Sequence, residues 1–361
     1  MKLPSTPRAR ADFQRRLLGW YGTHRRALPW RASRDPYAIW VAEIMLQQTR
    51  IAAVLPYYHR FLKSFPTVAA LARARESQVL RLWSGLGYYS RARNLHRAAR
   101  QILTRHDEQF PRTLEAALAL PGVGRYTAAA ILSIAYDVPL AVLDGNVARV
   151  LARLGALRGD LRAPRRWRHL TETAQRLLAC EAPGDWNEAL MELGETVCTP
   201  QTPRCAACPV ARSCRARAAK LTNSIPAPRR KRAVVRVRIA AAILLDPSGR
   251  TLVRRDPGAH DDVLFSRLWQ FPAVAVARHP KKELAAHLRA TLGLRSTSLT
   301  LEALPTARHG VTFRHITLLP YLVRLPRLPR RARTRLLPLN RVTQLAVSSA
   351  TRKLAAAALH S

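Results

Sequence analysis

Four cysteines stand within 17 residues, spaced Cys198-x6-Cys205-x2-Cys208-x5-Cys214. Thiolates are soft ligands that suit zinc or iron–sulfur clusters. Zinc sites often use two C-x2-C pairs. Here one such pair is flanked by longer arms, which favours a cubane cluster. The fifth cysteine, Cys180, lies outside the group and reads as an ordinary core thiol. An odd count, behind an N-terminus (MKLPSTPRARADF) that lacks the apolar core of a signal peptide, argues against a disulfide framework and for a cytoplasmic protein.

Two carboxylates have the contrasting surroundings that acid-assisted cleavage of a glycosidic bond uses. Glu43 sits in IWVAEIMLQQT, with Ile39 and Gln47 on its helical face. Desolvation there would raise its pKa and suit a general acid; the competing reading is an exposed Glu on an amphipathic helix. Asp144, in PLAVLDGNVARVLARL, stands where a helix begins. The helix N-terminus favours its ionised form, which suits stabilising a cationic sugar. On the residues alone a plain N-cap explains it better.

Positioning these residues needs a helical frame. Residues 10–220 read as mostly helical, with apolar residues recurring at three and four over 38–51 and 67–83. Leu120-Pro121-Gly122-Val123-Gly124 lies between helical stretches 113–120 and 125–136. A glycine turn whose amides point one way, ahead of a helix N-terminus, makes an anion nest; a plain helix–helix turn is the alternative. The pattern changes after 220. Residues 221–233 read as a Pro-rich basic linker. Alternating then apolar residues over 234–245, a turn at Asp246-Pro247-Ser248-Gly249, and TLVRR predict two strands; a helix follows over 281–292 and strands over 311–325. The expectation is an all-α unit followed by an α+β domain over 234–358.

The chain has 361 residues, with 61 Lys and Arg against 22 Asp and Glu, a formal net charge of +39. That balance steers a protein towards a polyanion, nucleic acid first and a membrane surface second. No run approaches the ~20 apolar residues of a membrane span.

The cysteine pattern, following Leu-Pro-Gly-Val-Gly, resembles the endonuclease III superfamily of helix-hairpin-helix DNA glycosylases. The resemblance implies a [4Fe–4S] cluster on Cys198, Cys205, Cys208 and Cys214, away from the reaction centre. It also implies phosphate contacts at Gly122, Val123 and Gly124. It predicts two helical lobes (about 30–136, and about 1–29 with 137–220) with DNA across the cleft between them. DPYAIWVAEIMLQQTR and VLDGNVARVLAR are similar to the catalytic segments of the adenine glycosylase branch. By that likeness Glu43 protonates adenine, Asp144 stabilises the sugar cation and Asn146 orients it. Bifunctional relatives carry a lysine where this chain has Tyr126, and no lysine occurs between Ser64 and Ala219. This implies a monofunctional enzyme, with Tyr126 holding Asp144 or the sugar.

Carried over in the same way, Trp30, Arg31, Leu46 and Glu188 form the adenine pocket, although Glu188 could equally be structural. Gln48, Thr49, Leu86, Tyr88 and Arg91 belong to two DNA-inserting loops, with Gln48 and Tyr88 as wedges; a packed surface aromatic is the alternative for Tyr88. Residues 234–358 resemble a degenerate Nudix-like domain. SRLWQFPAV is similar to a Nudix strand, but HPKKELAAHLRATLGL holds only Glu283 where a magnesium-binding box would stand. Phe313, Arg314 and His315 match a Phe-Ser-His loop that reads 8-oxoguanine, with Arg in place of Ser. The expected partner is duplex DNA holding A opposite 8-oxoguanine or G, bound by a monomer. The alternatives are a lyase for oxidised pyrimidines and a non-catalytic iron–sulfur DNA-binding protein.

Overall fold

In IWVAEIMLQQT the apolar residues run all round the helix rather than along one stripe. In the computed structural model its residues Ile39 to Met45 are accordingly all buried. The structure describes residue 4 and residues 6–227, 233–255, 267–294, 299–311 and 313–360. Residues 228–232 of the expected linker and Ser266 of SRLWQFPAV lie outside the described residues.

The helices are α1 (Pro7–His24), α2 (Pro36–Leu46), α3 (Ile51–Ser64), α4 (Val68–Arg73), α5 (Glu76–Trp83), α6 (Tyr89–Arg105), α7 (Leu114–Leu118), α8 (Arg125–Tyr136), α9 (Gly145–Gly155), α10 (Pro164–Leu177), α11 (Pro183–Thr196) and α12 (Arg215–Ala218). After them come strands β1 (Val235–Leu245), β2 (Arg250–Arg255), β3 (Trp269–Gln270) and β4 (Ala273–Ala275), then helix α13 (Pro280–Leu292). Strands β5 (Glu302–Ala303), β6 (Ala307–Val311), β7 (Arg314–Arg324) and β8 (Thr334–Pro338) precede the last helix, α14 (Ser349–Leu359). The chain divides into two compact units: residues 1–73 with 94–230, and residues 74–93 with 231–361. The first is all-α and the second α+β.

The expected helix over 38–51 stops at Leu46, because Gln48 takes a left-handed φ of 57° and the chain restarts at Ile51. The expected helix over 67–83 is two helices, α4 and α5, and they fall in different units. In the helical unit α2 packs on α8, whose residues Thr127–Ile134 are all buried, and α11 packs on α1, α8 and α9. Asp35 caps α2, accepting from the amides of Tyr37 (3.0 Å) and Ala38 (3.3 Å), with Pro36 at the first helical position.

In the α+β unit β1 and β7 pair in parallel, from Val235 opposite Arg314 to Leu245 opposite Arg324. Sheet order is β3-β2-β1-β7-β5; β4 pairs with β1, β6 with β7 and β8 with β2. Ala241 and Ile243 pack on the α14 side, while Ala240, Ala242 and Leu244 pack on the α13 side. Helices on both faces explain why β1 stops alternating and becomes apolar after Arg238. Among the described residues no helix is long and apolar enough to cross a membrane.

Candidate active site and cysteine loop

Burial settles the choice left open for Glu43: the side chain sits in the core of the helical unit, 7% exposed. Desolvation is the main cause that pushes its carboxyl up to about 7. The charges of Asp144, Glu188 and Glu195 push the same way, and a hydrogen bond from the Tyr126 hydroxyl opposes them. Glu43 opens onto a cavity of about 830 Å³ whose lining also includes Trp30, Arg31, Leu46, Gln48, Thr49, Tyr126, Asp144, Asn146 and Glu188. Ten residues singled out from five separate stretches of sequence therefore meet at one cavity.

Asp144 is the N-cap of α9, accepting from the Val147 amide at 2.7 Å and from Asn146 Nδ2 at 3.1 Å. The cap and the cavity position coexist, so the two readings of this residue do not compete. Its carboxyl is nevertheless raised, not lowered: burial outweighs the two hydrogen bonds and the Arg149 charge. Asn146 is held in turn. Arg149 Nη2 donates to Asn146 Oδ1 and to the Gly194 carbonyl, both at 2.8 Å, and Arg149 Nε donates to the Cys198 carbonyl at 2.8 Å. Gly194 lets α11 approach this closely, since a Cβ there would lie 2.8 Å from Asn146 Cβ.

The far side of the cavity is a network that the sequence reading caught only in part. Arg31 Nε donates to Glu188 Oε1 (3.0 Å) and Arg31 Nη1 to Glu192 Oε2 (2.9 Å). Tyr21 donates to Glu188 Oε2 at 2.9 Å, and Arg26 pairs with Glu192 (2.6 Å) and Glu195 (2.5 Å). Trp30 packs edge-on against Tyr58, with centroids 5.2 Å apart. Tyr21, Arg26, Glu192 and Glu195 were missed. A signal existed, because Glu188, Glu192 and Glu195 recur at helical spacing on one face of α11.

In the hairpin Gly122 has φ 80°, and a Cβ there would meet Asn94 Cβ at 2.7 Å, so glycine is required twice over. The Val123 amide donates to the Leu120 carbonyl at 3.1 Å. That amide is therefore taken within the turn. Gly124 caps α8, and a Cβ there would meet nothing within 4 Å.

Cys198 follows α11, Cys205 and Cys208 flank a short 3-10 turn, and Cys214 caps α12. Cys208 senses the charges of the other three, and burial pushes its thiol up to about 12. Yet among the described residues no group of three ligating side chains is packed tightly enough for a single metal ion. The four thiols nevertheless lie within electrostatic range of one another, a soft donor set of the kind that suits zinc or an iron–sulfur cluster. Cys180 is exposed, which corrects the expected core thiol; it lies past the end of α10, beyond the helix's buried face.

Arg153 is 1% exposed and organises the cysteine loop. It donates to the carbonyls of Cys198 (3.2 Å), Thr199 (2.7 Å), Pro200 (3.0 Å) and Ile225 (2.8 Å), and to Cys198 Sγ (3.3 Å). At about 1 kcal/mol net per bond, Arg153→Met should cost roughly 3–5 kcal/mol. Urea unfolding checks this, and a loss below about 1 kcal/mol would contradict it.

The remaining candidates lie in the α+β unit. Tyr88 is 39% exposed with φ 48°, and Arg91 sits over its ring at 5.3 Å; Leu86 lies in the same turn. Burial lowers the Arg91 guanidinium to about 10. Arg314 opens β7 and stacks on Phe313 at 5.3 Å, with His315 exposed beside it. Glu283 accepts from the amides of Ala277 (3.0 Å) and His279 (2.8 Å), so the lone acid of the box region caps α13.

Residues 41–175 match the family model described as HhH-GPD superfamily base excision DNA repair protein. An adenine DNA glycosylase of Rattus norvegicus is 49% identical over 213 residues, covering 56% of this chain and 41% of that protein. One from Buchnera aphidicola subsp. Schizaphis graminum is 34% identical over 224 residues, covering 62% and 65%. The chain thus spans less than two thirds of these relatives. A solved structure described as a thermostable thymine-DNA glycosylase is 30% identical with a TM-score of 0.53, covering 58% of this chain and 97% of that one. An endonuclease III–DNA complex, 22% identical with a TM-score of 0.50, covers 59% and 98% and shares the fold. Glu43, Gln48, Tyr126, Asp144 and Asn146 fall inside the stretch that this family model matches, with α11 and Glu188 beyond it, and the chain belongs to the HhH-GPD superfamily of base excision DNA repair proteins.

Proposed function

We propose that the chain hydrolyses the N-glycosidic bond of adenine mispaired with 8-oxoguanine or guanine in duplex DNA, leaving an intact abasic site. The observation that carries this reading is the buried Glu43, its carboxyl pushed up to about 7, on the same cavity as Asp144. Glu43 gives its proton to the departing adenine. Asp144, aimed by Asn146 and Val147, stabilises the cation left at C1′. Water adds there, and its proton returns to the Glu43 carboxylate. Tyr126, buried beside Glu43, donates to Met191 Sδ at 3.3 Å and offsets part of the rise in the Glu43 carboxyl. Arg31 and Glu188 face the base, with Trp30 and Leu46 as apolar walls.

The Cys198, Cys205, Cys208 and Cys214 thiolates would hold a [4Fe–4S] cluster, which supplies no step of the hydrolysis and orders the loop. Gly122 and Gly124 would meet DNA phosphate, and Gln48, Thr49, Leu86, Tyr88 and Arg91 the opened duplex. Phe313, Arg314 and His315 would face the base opposite the adenine.

Base release from duplexes carrying A opposite 8-oxoguanine, G or T, at one salt concentration, tests the reading; no release from any of them overturns it. The lyase reading predicts borohydride trapping of a protein–DNA adduct, and Tyr126, in the position of the lysine, predicts none. Gly194→Ala should push Asn146 off Asp144 and slow release about 100-fold, the cost of roughly 1 Å of misplacement. Unchanged single-turnover rates in that variant would contradict the role given to Asn146.

A further inference from the structure

The turn bearing Tyr88 is tied to the start of α14, far away in sequence. Ser84 Oγ donates to the Val347 carbonyl at 2.5 Å, and the Tyr89 hydroxyl donates to the same oxygen at 3.0 Å. Ser349 Oγ donates to the Gly85 carbonyl at 3.3 Å. Arg352 reaches Ser84 Oγ with Nε (3.3 Å) and Nη2 (3.1 Å). Val347 and Ser348 are buried, and Ser348 caps α14 by accepting from the Thr351 amide at 3.1 Å. One helical turn further on, Lys353 Nζ donates to the Arg308 carbonyl at 2.6 Å. Arg308 lies in β6, which pairs with the start of β7 at Arg314 and His315, next to Phe313.

We propose that the first turn of α14 is a strut holding the Tyr88 turn and the Phe313–His315 segment, where β7 begins, in one frame, with Ser349, Arg352 and Lys353 as positioning residues for reading the base opposite the adenine. A bulky residue with positive φ persists only where its surroundings over-determine it. The Tyr88 turn has such surroundings: Gly87's carbonyl accepts from Trp83 Nε1 (3.1 Å) and Arg91 Nη2 (3.3 Å), and the strut fixes Ser84 and Gly85. Two segments fixed to one rigid element read their two targets at a set separation, so loosening either end costs discrimination more than chemistry. The assignment of both segments rests on the proposed function.

Hydrogen exchange of the free full-length protein reads the strut directly. Arg352→Ala should raise exchange at residues 84–91 by about tenfold or more, with the amides of α2 and α8 unchanged. Binding to duplexes carrying an uncleavable 2′-fluoro-adenosine opposite 8-oxoguanine or G reads its purpose. The preference for 8-oxoguanine should fall about tenfold in Arg352→Ala, and stay within about threefold of the parent in Arg352→Lys, which keeps a donor to Ser84. Lys353→Ala, an exposed position, should lower the same preference with no change in melting temperature. Unchanged exchange at 84–91, a rise spread over the whole chain, or a loosened turn with undiminished preference would each overturn the proposal. Failure of the underlying function shows separately, as a parent protein that releases no adenine while its exchange pattern stands.

Discussion

Glu43→Gln should slow adenine release by about 10²–10⁴-fold, the range a positioned general acid contributes, while duplex binding survives. Gln keeps the size of the side chain and a carbonyl oxygen, so the variant removes the proton and little else. The parent enzyme should lose activity as pH rises through about 7, where the folded Glu43 carboxyl gives up its proton. The variant's residual rate should lack that limb. Stability gives an independent reading. In the unfolded chain the carboxyl ionises near its ordinary value of 4.5, and in the folded chain near 7. Between those values the folded state holds more protons, so stability falls as pH rises from about 4.5 to 7 and stays lowered above. The full difference is roughly 3 kcal/mol. Glu43→Gln should therefore be more stable than the parent at pH 8 and close to it at pH 4.5. A variant that keeps parental single-turnover rates would remove Glu43 from the chemistry. One that gains no stability at pH 8 would show that the carboxyl is not desolvated.

Parts of this site were legible for a physical reason. The apolar residues around Glu43 leave no polar face to expose, and Asp-Gly-Asn ahead of a helical repeat marks a cap. Clustered cysteines in a chain otherwise poor in them mark a metal loop. What escaped depends on contacts between segments far apart. Arg26 and Tyr21 are unremarkable until α1 and α11 lie side by side. Arg153 looks like one more surface cation in a chain of net charge +39, yet it is among the most buried side chains. The break between α4 and α5 was hidden because no Gly or Pro marks it, while the chain there passes from one compact unit to the other. In the second unit the long strands β1 and β7 were readable, but β3, β4 and β5 are two or three residues each and carry no periodicity. Helix α14 was missed because its alanines and leucines form too weak a pattern to separate from a strand-rich context.

Asp144→Asn isolates charge from structure more cleanly than any other change here. Asparagine caps a helix about as well as aspartate, so the bond from the Val147 amide and the start of α9 should persist, and the melting temperature should barely move. The bond from Asn146 Nδ2 is the one that must rearrange, because a second amide nitrogen can now face it. The lost carboxylate should cost on the order of 10²–10³ in single-turnover rate, the magnitude of removing one preorganised stabilising group from a developing charge. A second effect follows from the coupling between the two acids. Asp144 is one of the charges that raise the Glu43 carboxyl, so neutralising it should let Glu43 ionise at lower pH. The alkaline limb of the residual activity should move to lower pH than in the parent. That direction separates the two roles: a residue that merely capped α9 would leave both the rate and the limb where they were. Parental rates in Asp144→Asn would take the residue out of the mechanism, and slow release with an unmoved limb would mean that the two carboxyls do not sense each other across the cavity.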